Sequence, residues 1–180
     1  MKILKCSFFA ILAAVLIILL PVLFSNFPAQ ISRAGSSDNV SGWAWSENIG
    51  WLSFNCTNTN SCASANYGVN VDNATGLFSG YAWSENIGWV DFAPPGSYPS
   101  SPSYSARVDN ATNQVNGWAR ALAYGDGWDG WIKMSGANYG VARTGSGGQC
   151  GLSGYAWGGD VIGWLHFNGS NYGVNITSIS

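Results

Sequence analysis

The chain has 180 residues, with seven Lys or Arg against nine Asp or Glu, 24 glycines, ten tryptophans and only 9% charged residues. So few basic side chains exclude a phosphate-neutralising surface, and with it nucleic acid as a partner. Abundant aromatics and glycine exclude a disordered chain and suit a small-stranded extracellular β protein.

Met1 to Lys5 puts positive charge ahead of the apolar run Cys6 to Phe24, after which the sequence turns polar, the layout of an export signal. Ser32-Arg33-Ala34 has small residues at the two positions a signal peptidase reads, giving a leader over 1–34 and a single mature domain over 35–180. The expected location is secreted or on the cell surface. The apolar run approaches the roughly 20 residues that cross a bilayer, so an uncleaved anchor is the alternative and would be the only membrane contact. Beyond residue 34, four basic side chains face nine acidic ones, a net charge of −5.

From Ser41 the chain repeats itself. SGWAWSENIGWLSF over Ser41 to Phe54 returns as SGYAWSENIGWVDF over Ser79 to Phe92, then in altered form over Asn116 to Met134 and Ser153 to Phe167. The leading glycines, Gly42, Gly80, Gly117 and Gly154, lie 38, 37 and 37 residues apart, a spacing typical of one supersecondary unit that must stack on its neighbours. In each full copy the five residues Ser-Glu-Asn-Ile-Gly separate two aromatic-rich runs, a hairpin signal. The register predicted is Trp83 opposite Trp89, Ala82 opposite Val90 and Gly80 opposite Phe92. The first and last copies follow with Trp45 opposite Trp51 and Trp157 opposite Trp164.

Cys56 and Cys62 bracket a polar loop and are expected to pair in an oxidising compartment. Cys150 is then left as a thiol. A further strand precedes each later hairpin: Tyr67 to Val71, Tyr104 to Val108, Tyr139 to Arg143, and finally Tyr172 to Ile176 with no hairpin after it. The turn after Val71 sets Val71 opposite Phe78 and puts Tyr67 on the core face. The Phe78 slot stays apolar as Val40, Val115 and Leu152, while the adjacent Leu77 slot varies as Asn39, Gln114 and Gly151, so one face is core. The Pro-rich stretch Ala93 to Pro102 reads as a surface loop, and the four-residue loop Asn168 to Asn171 sets Phe167 against Tyr172.

The first copy lacks a preceding strand and the C-terminus has one to spare. The simplest solution is closure, with Tyr172 to Ile176 beside Val40 to Trp45. The expected fold is all-β: four three-stranded antiparallel repeats forming a 12-stranded up-and-down barrel, regular or flattened. A four-bladed propeller is the alternative. Self-closure predicts a monomer; donation of the last strand to a neighbour would instead build a filament.

The motif G-[YW]-A-W-S-E-N-I-G-W-[LVI]-x-F resembles an uncharacterised Trp-rich repeat of predicted secreted bacterial proteins. That resemblance covers nearly all of the mature chain and implies export and a repeat architecture; it brings no activity with it. The third copy departs at Arg120 and at the inserted Ala121 to Asp126.

Closure places all four turns at one end, with Trp45, Trp51, Trp83, Trp89, Trp128, Trp131, Trp157 and Trp164 as a collar on the outer face. Glu47, Asn48, Glu85, Asn86, Asp126 or Asp129, and Asp160 lie in the same turns. Aromatic faces stack on the apolar C–H face of a sugar while carboxylates and amides take its hydroxyls, so the expected ligands are glycans or cell-surface polymers. Cross-strand Trp pairs also stabilise hairpins with no ligand, by about 0.2–1 kcal/mol each, and a structural or assembly role at the surface is the alternative.

Catalysis is not expected. Glu47 and Glu85 are equivalent members of two copies, whereas an acid and base pair needs two different environments. With one histidine, His166, no metal site or cofactor is expected.

Overall fold

In the computed structural model, residues 35–146 and 149–177 are described; the expected leader over 1–34 lies outside the described residues. Thirteen strands carry the fold. They are β1 (Val40–Ser46), β2 (Gly50–Ser53), β3 (Val69–Val71), β4 (Phe78–Ser84), β5 (Gly88–Asp91), β6 (Arg107–Val108) and β7 (Gln114–Asn116), followed by β8 (Trp118–Ala121), β9 (Trp131–Lys133), β10 (Val141–Ser146), β11 (Gln149–Trp157), β12 (Trp164–His166) and β13 (Val174–Thr177). A four-residue helix, α1 (Gly159–Ile162), forms the last hairpin turn, and a 3-10 turn spans Cys56–Thr59.

The hairpins β1–β2, β4–β5 and β11–β12 form in the predicted register, with Trp45 opposite Trp51, Trp83 opposite Trp89 and Trp157 opposite Trp164, and β8–β9 forms the fourth with Ala119 opposite Ile132. Each hairpin is hydrogen-bonded to the next, and β12 returns to β1, so eight strands close into an antiparallel barrel. Blades of a propeller would pair only within themselves.

The barrel that closes has eight strands, not the twelve expected of a single meander. The remaining five, β3, β6, β7, β10 and β13, pair with one another and with the first halves of β1, β4 and β11. One bridge, Leu77 to Arg107, joins β6 to the edge of β4. The division falls at the leading glycines. Gly80 has φ +86°, and a Cβ there would lie 2.2 Å from the Gly68 carbonyl oxygen, so the long strand bends away from β3 at a point only glycine can occupy. Gly42, Gly117 and Gly154 share this conformation, with φ between 87° and 92°. At each, the glycine carbonyl accepts from the large residue opposite: Phe54, Phe92, Met134 and Phe167.

These four residues are buried and form the waist of the core. Phe54 touches both Phe92 and Phe167, with ring centroids 5.2 and 5.8 Å apart. Next along the barrel, small faces large in every hairpin: Ala44 with Leu52, Ala82 with Val90, Ala119 with Ile132 and Ala156 with Leu165. An eight-stranded barrel is just narrow enough for its own side chains to fill, and alternation of small and large fits that space.

β13 completes the outer level, with Val40 opposite Ile176 and Gly42 opposite Val174 on one side and Leu152 opposite Val174 on the other. Two details of the sequence reading are corrected. Phe167 opposes Val174, whose N–H it accepts at 3.0 Å, and not Tyr172. The tyrosines ahead of the outer strands, Tyr67, Tyr139 and Tyr172, lie outside the core cluster, because the bend at the glycines turns them onto the tryptophans. The disulfide Cys56–Cys62 is formed, with its Cα atoms 4.9 Å apart, and Cys150 is a half-buried thiol packed against the core.

Candidate functional site

The hairpin turns are built to hold their neighbours. The buried Ser46 hydroxyl accepts the Asn48 N–H and donates to the Ile162 carbonyl. Asn48 Nδ2 donates to the Asp160 carbonyl at 2.9 Å, and Asn86 Nδ2 donates to the Ile49 carbonyl at 3.0 Å. Turn two is thus tied to turn one, and turn one to turn four. Ile49, Ile87 and Ile162 point inward and close that end of the barrel, with the partly buried Trp128 packed against the same core. The Asn48 and Asn86 amides, expected on a ligand, donate to backbone within the protein.

The tryptophans form a band around the outside. Trp45 and Trp51 are 4.6 Å apart by ring centroid, Trp83 and Trp89 4.5 Å, and Trp157 and Trp164 4.7 Å, each pair inclined by about 60°. A tyrosine packs edge-on against the second tryptophan of three pairs: Tyr172 on Trp51, Tyr67 on Trp89 and Tyr139 on Trp164, at 5.1, 5.3 and 4.9 Å. Each contact joins an outer strand to the hairpin that follows it around the barrel.

The third hairpin departs from this. Arg120 stands opposite Trp131 where the others have tryptophan, and its guanidinium lies 3.5 Å from the Tyr124 ring centroid and 4.5 Å from that of Trp131. The Pro-rich loop covers the same face. Tyr98 packs on Trp131, and Trp118 donates its indole N–H to the Pro102 carbonyl at 2.9 Å, leaving Trp118 and Trp131 only 7% exposed. The open part of the band is therefore on hairpins four, one and two.

There the rings run on without interruption from Tyr139 through Trp164, Tyr155, His166 and Tyr172 to Trp51 and Trp43. His166 stacks on Tyr155 at 4.2 Å and shares a 2.8 Å hydrogen bond with the Tyr172 hydroxyl; burial holds its pKa below the usual histidine value. The Tyr172 hydroxyl is pushed up by burial and by the charges of Tyr155 and Glu47. Trp51, Tyr155 and Trp164 are 44%, 44% and 48% exposed.

Two depressions open on the band. One of about 340 Å³ lies over Tyr139, Tyr155 and Trp164. The other, about 320 Å³, lies between hairpins one and two and is lined by Trp43, Trp45, Trp51, Trp83, Glu85 and Thr59. Thr59 comes from the disulfide-closed loop, which Asn58 pins to β1 by accepting the Gly42 N–H and donating to the Gly42 carbonyl at 2.7 Å. Glu47 accepts the Trp45 indole N–H at 3.1 Å, whereas Glu85 is exposed and takes no hydrogen bond among the described residues.

Of the expected site residues, Trp45, Trp51, Trp83, Glu85 and Asn86 meet at one depression, and Trp164 lines the other. Trp89 lies beneath Tyr67, Trp157 beside Trp164, and Asp160 is exposed on α1, whose backbone Asn48 holds. Trp43, Tyr139, Tyr155, Tyr172 and Thr59 belong to the band or its depressions as well; the recurrence of tyrosine before Gly-Val was the signal for two of them. Among the described residues no three metal-ligating side chains converge, and no helix is long and apolar enough to cross a membrane. Comparison with known proteins gives no matching family model, no matching curated protein and no matching solved structure.

Proposed function

We propose that the chain is an exported, non-enzymatic binding module that holds glycans or other cell-surface polymers against the aromatic band of hairpins four, one and two. The observation that carries this reading is that Trp51 and Trp164 remain 44% and 48% exposed beside depressions lined by further aromatic rings. Contiguous aromatic surface left open beside a depression is the kind of surface that ligand-binding grooves present. The leader-like N-terminus and the Cys56–Cys62 disulfide support an oxidising, extracytoplasmic location. Two shallow contacts on one polymer would add avidity that neither has alone.

The test is a glycan and cell-wall polymer array probed with the exported protein and with the double variant Trp83→Ala, Glu85→Ala. Retention on a defined polymer that drops in the variant supports the reading. No retention on any glycan or wall polymer removes it.

A further inference from the structure

We propose that the depression between hairpins one and two is a site for an organic ammonium group, quaternary or N-methylated, carried by the ligand. This deepens the binding-module reading by naming the chemistry that one part of the band recognises.

Three observations point the same way. First, the indoles are set at angles to each other: Trp45 and Trp43 meet Trp51 at 62° and 71°. With Trp83 on the opposite side, they form a corner. A flat pyranose face is best served by one broad ring, whereas rings at steep angles surround a compact, roughly spherical group. Indole is the best aromatic partner for a cation, because its face carries the negative part of the ring quadrupole.

Second, a carboxylate stands at the rim with nothing else to do. Glu85 lines the depression, is exposed and makes no hydrogen bond among the described residues, while its counterpart Glu47 is engaged by Trp45. With the net charge of −5 beyond residue 34, the field at the site favours a cation.

Third, the protein carries out the same recognition internally. On hairpin three Arg120 lies over Tyr124 and Trp131, and Lys133 lies 5.1 Å from the Trp118 ring centroid. Trp45 and Trp83 occupy on hairpins one and two the position that Arg120 holds on hairpin three. Where the third hairpin sets its own cation against Trp131, the first two have a tryptophan in that place, and Trp51 stays 44% exposed to a cation from outside.

The experiment follows the indole N–H resonances of the exported protein, assigned with single tryptophan variants, during titration with choline chloride at fixed ionic strength. A parallel titration uses 3,3-dimethylbutan-1-ol, which has the same shape without the charge. Choline is expected to shift Trp43, Trp45, Trp51 and Trp83, and to saturate near the millimolar range typical of one small isolated contact, about 1 mM. The neutral alcohol should bind at least about tenfold more weakly, and Glu85→Gln should weaken choline severalfold at unchanged melting temperature.

Equal binding of the alcohol, or no saturation by about 50 mM choline, overturns the proposal. If neutral oligosaccharides shift these indoles and choline does not, the ammonium site falls and the glycan reading stands. If choline binds while no polymer is retained on the array, the site stands and the glycan reading falls.

Discussion

Tyr172, two residues ahead of the last strand, packs edge-on against Trp51 of the first hairpin at 5.1 Å, and its hydroxyl meets His166 at 2.8 Å. The same residue thus ties the start of the outer strand β13 to the first hairpin and links the part of the aromatic band on hairpin four to the part on hairpin one. Removing everything after Asn171 deletes β13, uncovers the edges of β1 and β11 and takes this tyrosine with it. Exposed edges of that kind template association. Size-exclusion chromatography with light scattering should show a compact monomer for the intact protein and aggregates for the truncated one. A truncated chain that stays monomeric with an unchanged melt would contradict closure by β13.

His166 gives a pH dependence with a definite sign. Burial depresses its pKa, so the folded state binds this proton less readily than the unfolded chain, whose histidine titrates near 6.5. Stability should fall as pH drops through about 6.5 and level off below the depressed folded value. His166→Asn, measured by thermal melts between about pH 7.5 and 4.5, should flatten that part of the profile. An identical slope in the variant would show that another group titrates there.

Gly80→Ala should be among the most damaging small substitutions. It combines φ +86° with a Cβ 2.2 Å from the Gly68 carbonyl oxygen, where only backbone can yield. A loss of about 3 kcal/mol is expected in chemical denaturation, from strain and overpacking together. Gly96, with φ +100° but open space around it, should cost about 1 kcal/mol when changed to Ala, and serves as the control.

Opening the Cys56–Cys62 disulfide by a double serine substitution should cost about 2 kcal/mol, as expected for so short a loop. Because that loop places Thr59 at the depression, ligand binding should weaken as well. Peptide mapping without reductant should recover the two cysteines in one linked fragment. A bridge from Cys150 to either would overturn the pairing.

Strand pairing was readable because alternation forces it. Once Ala82 faces Val90, every side chain of the hairpin has a side, and Ala44 with Leu52 repeats the choice. The two-level architecture was not readable, since a glycine such as Gly80 looks like a small core residue until a carbonyl is found where its Cβ would stand. Alternation carried across that bend sent Tyr67 inward, whereas it lies on Trp89 with its hydroxyl donating to Ser53 Oγ at 2.8 Å. Asn39 occupies a slot whose variation among the copies points to solvent. It is buried, accepting the Val71 N–H and donating to the Val71 carbonyl, both at 2.8 Å, as a strand would. On the third hairpin the inserted residues broke the motif, so the sequence offered no register there; Arg120 faces Trp131.

The central claim is that the open indoles of the band contact a ligand and do not merely pack. Co-sedimentation of the purified protein with glycan and cell-wall polymers, compared with Trp51→Ala, Trp83→Ala and scored beside a thermal melt, tests it most directly. The predicted result is affinity falling about five- to thirtyfold, from loss of roughly 1–2 kcal/mol of contact, with the melt shifted by only a few degrees. Undiminished sedimentation of the variant, or a collapsed melt with no binding by either form, would contradict the claim and leave the tryptophans as packing alone.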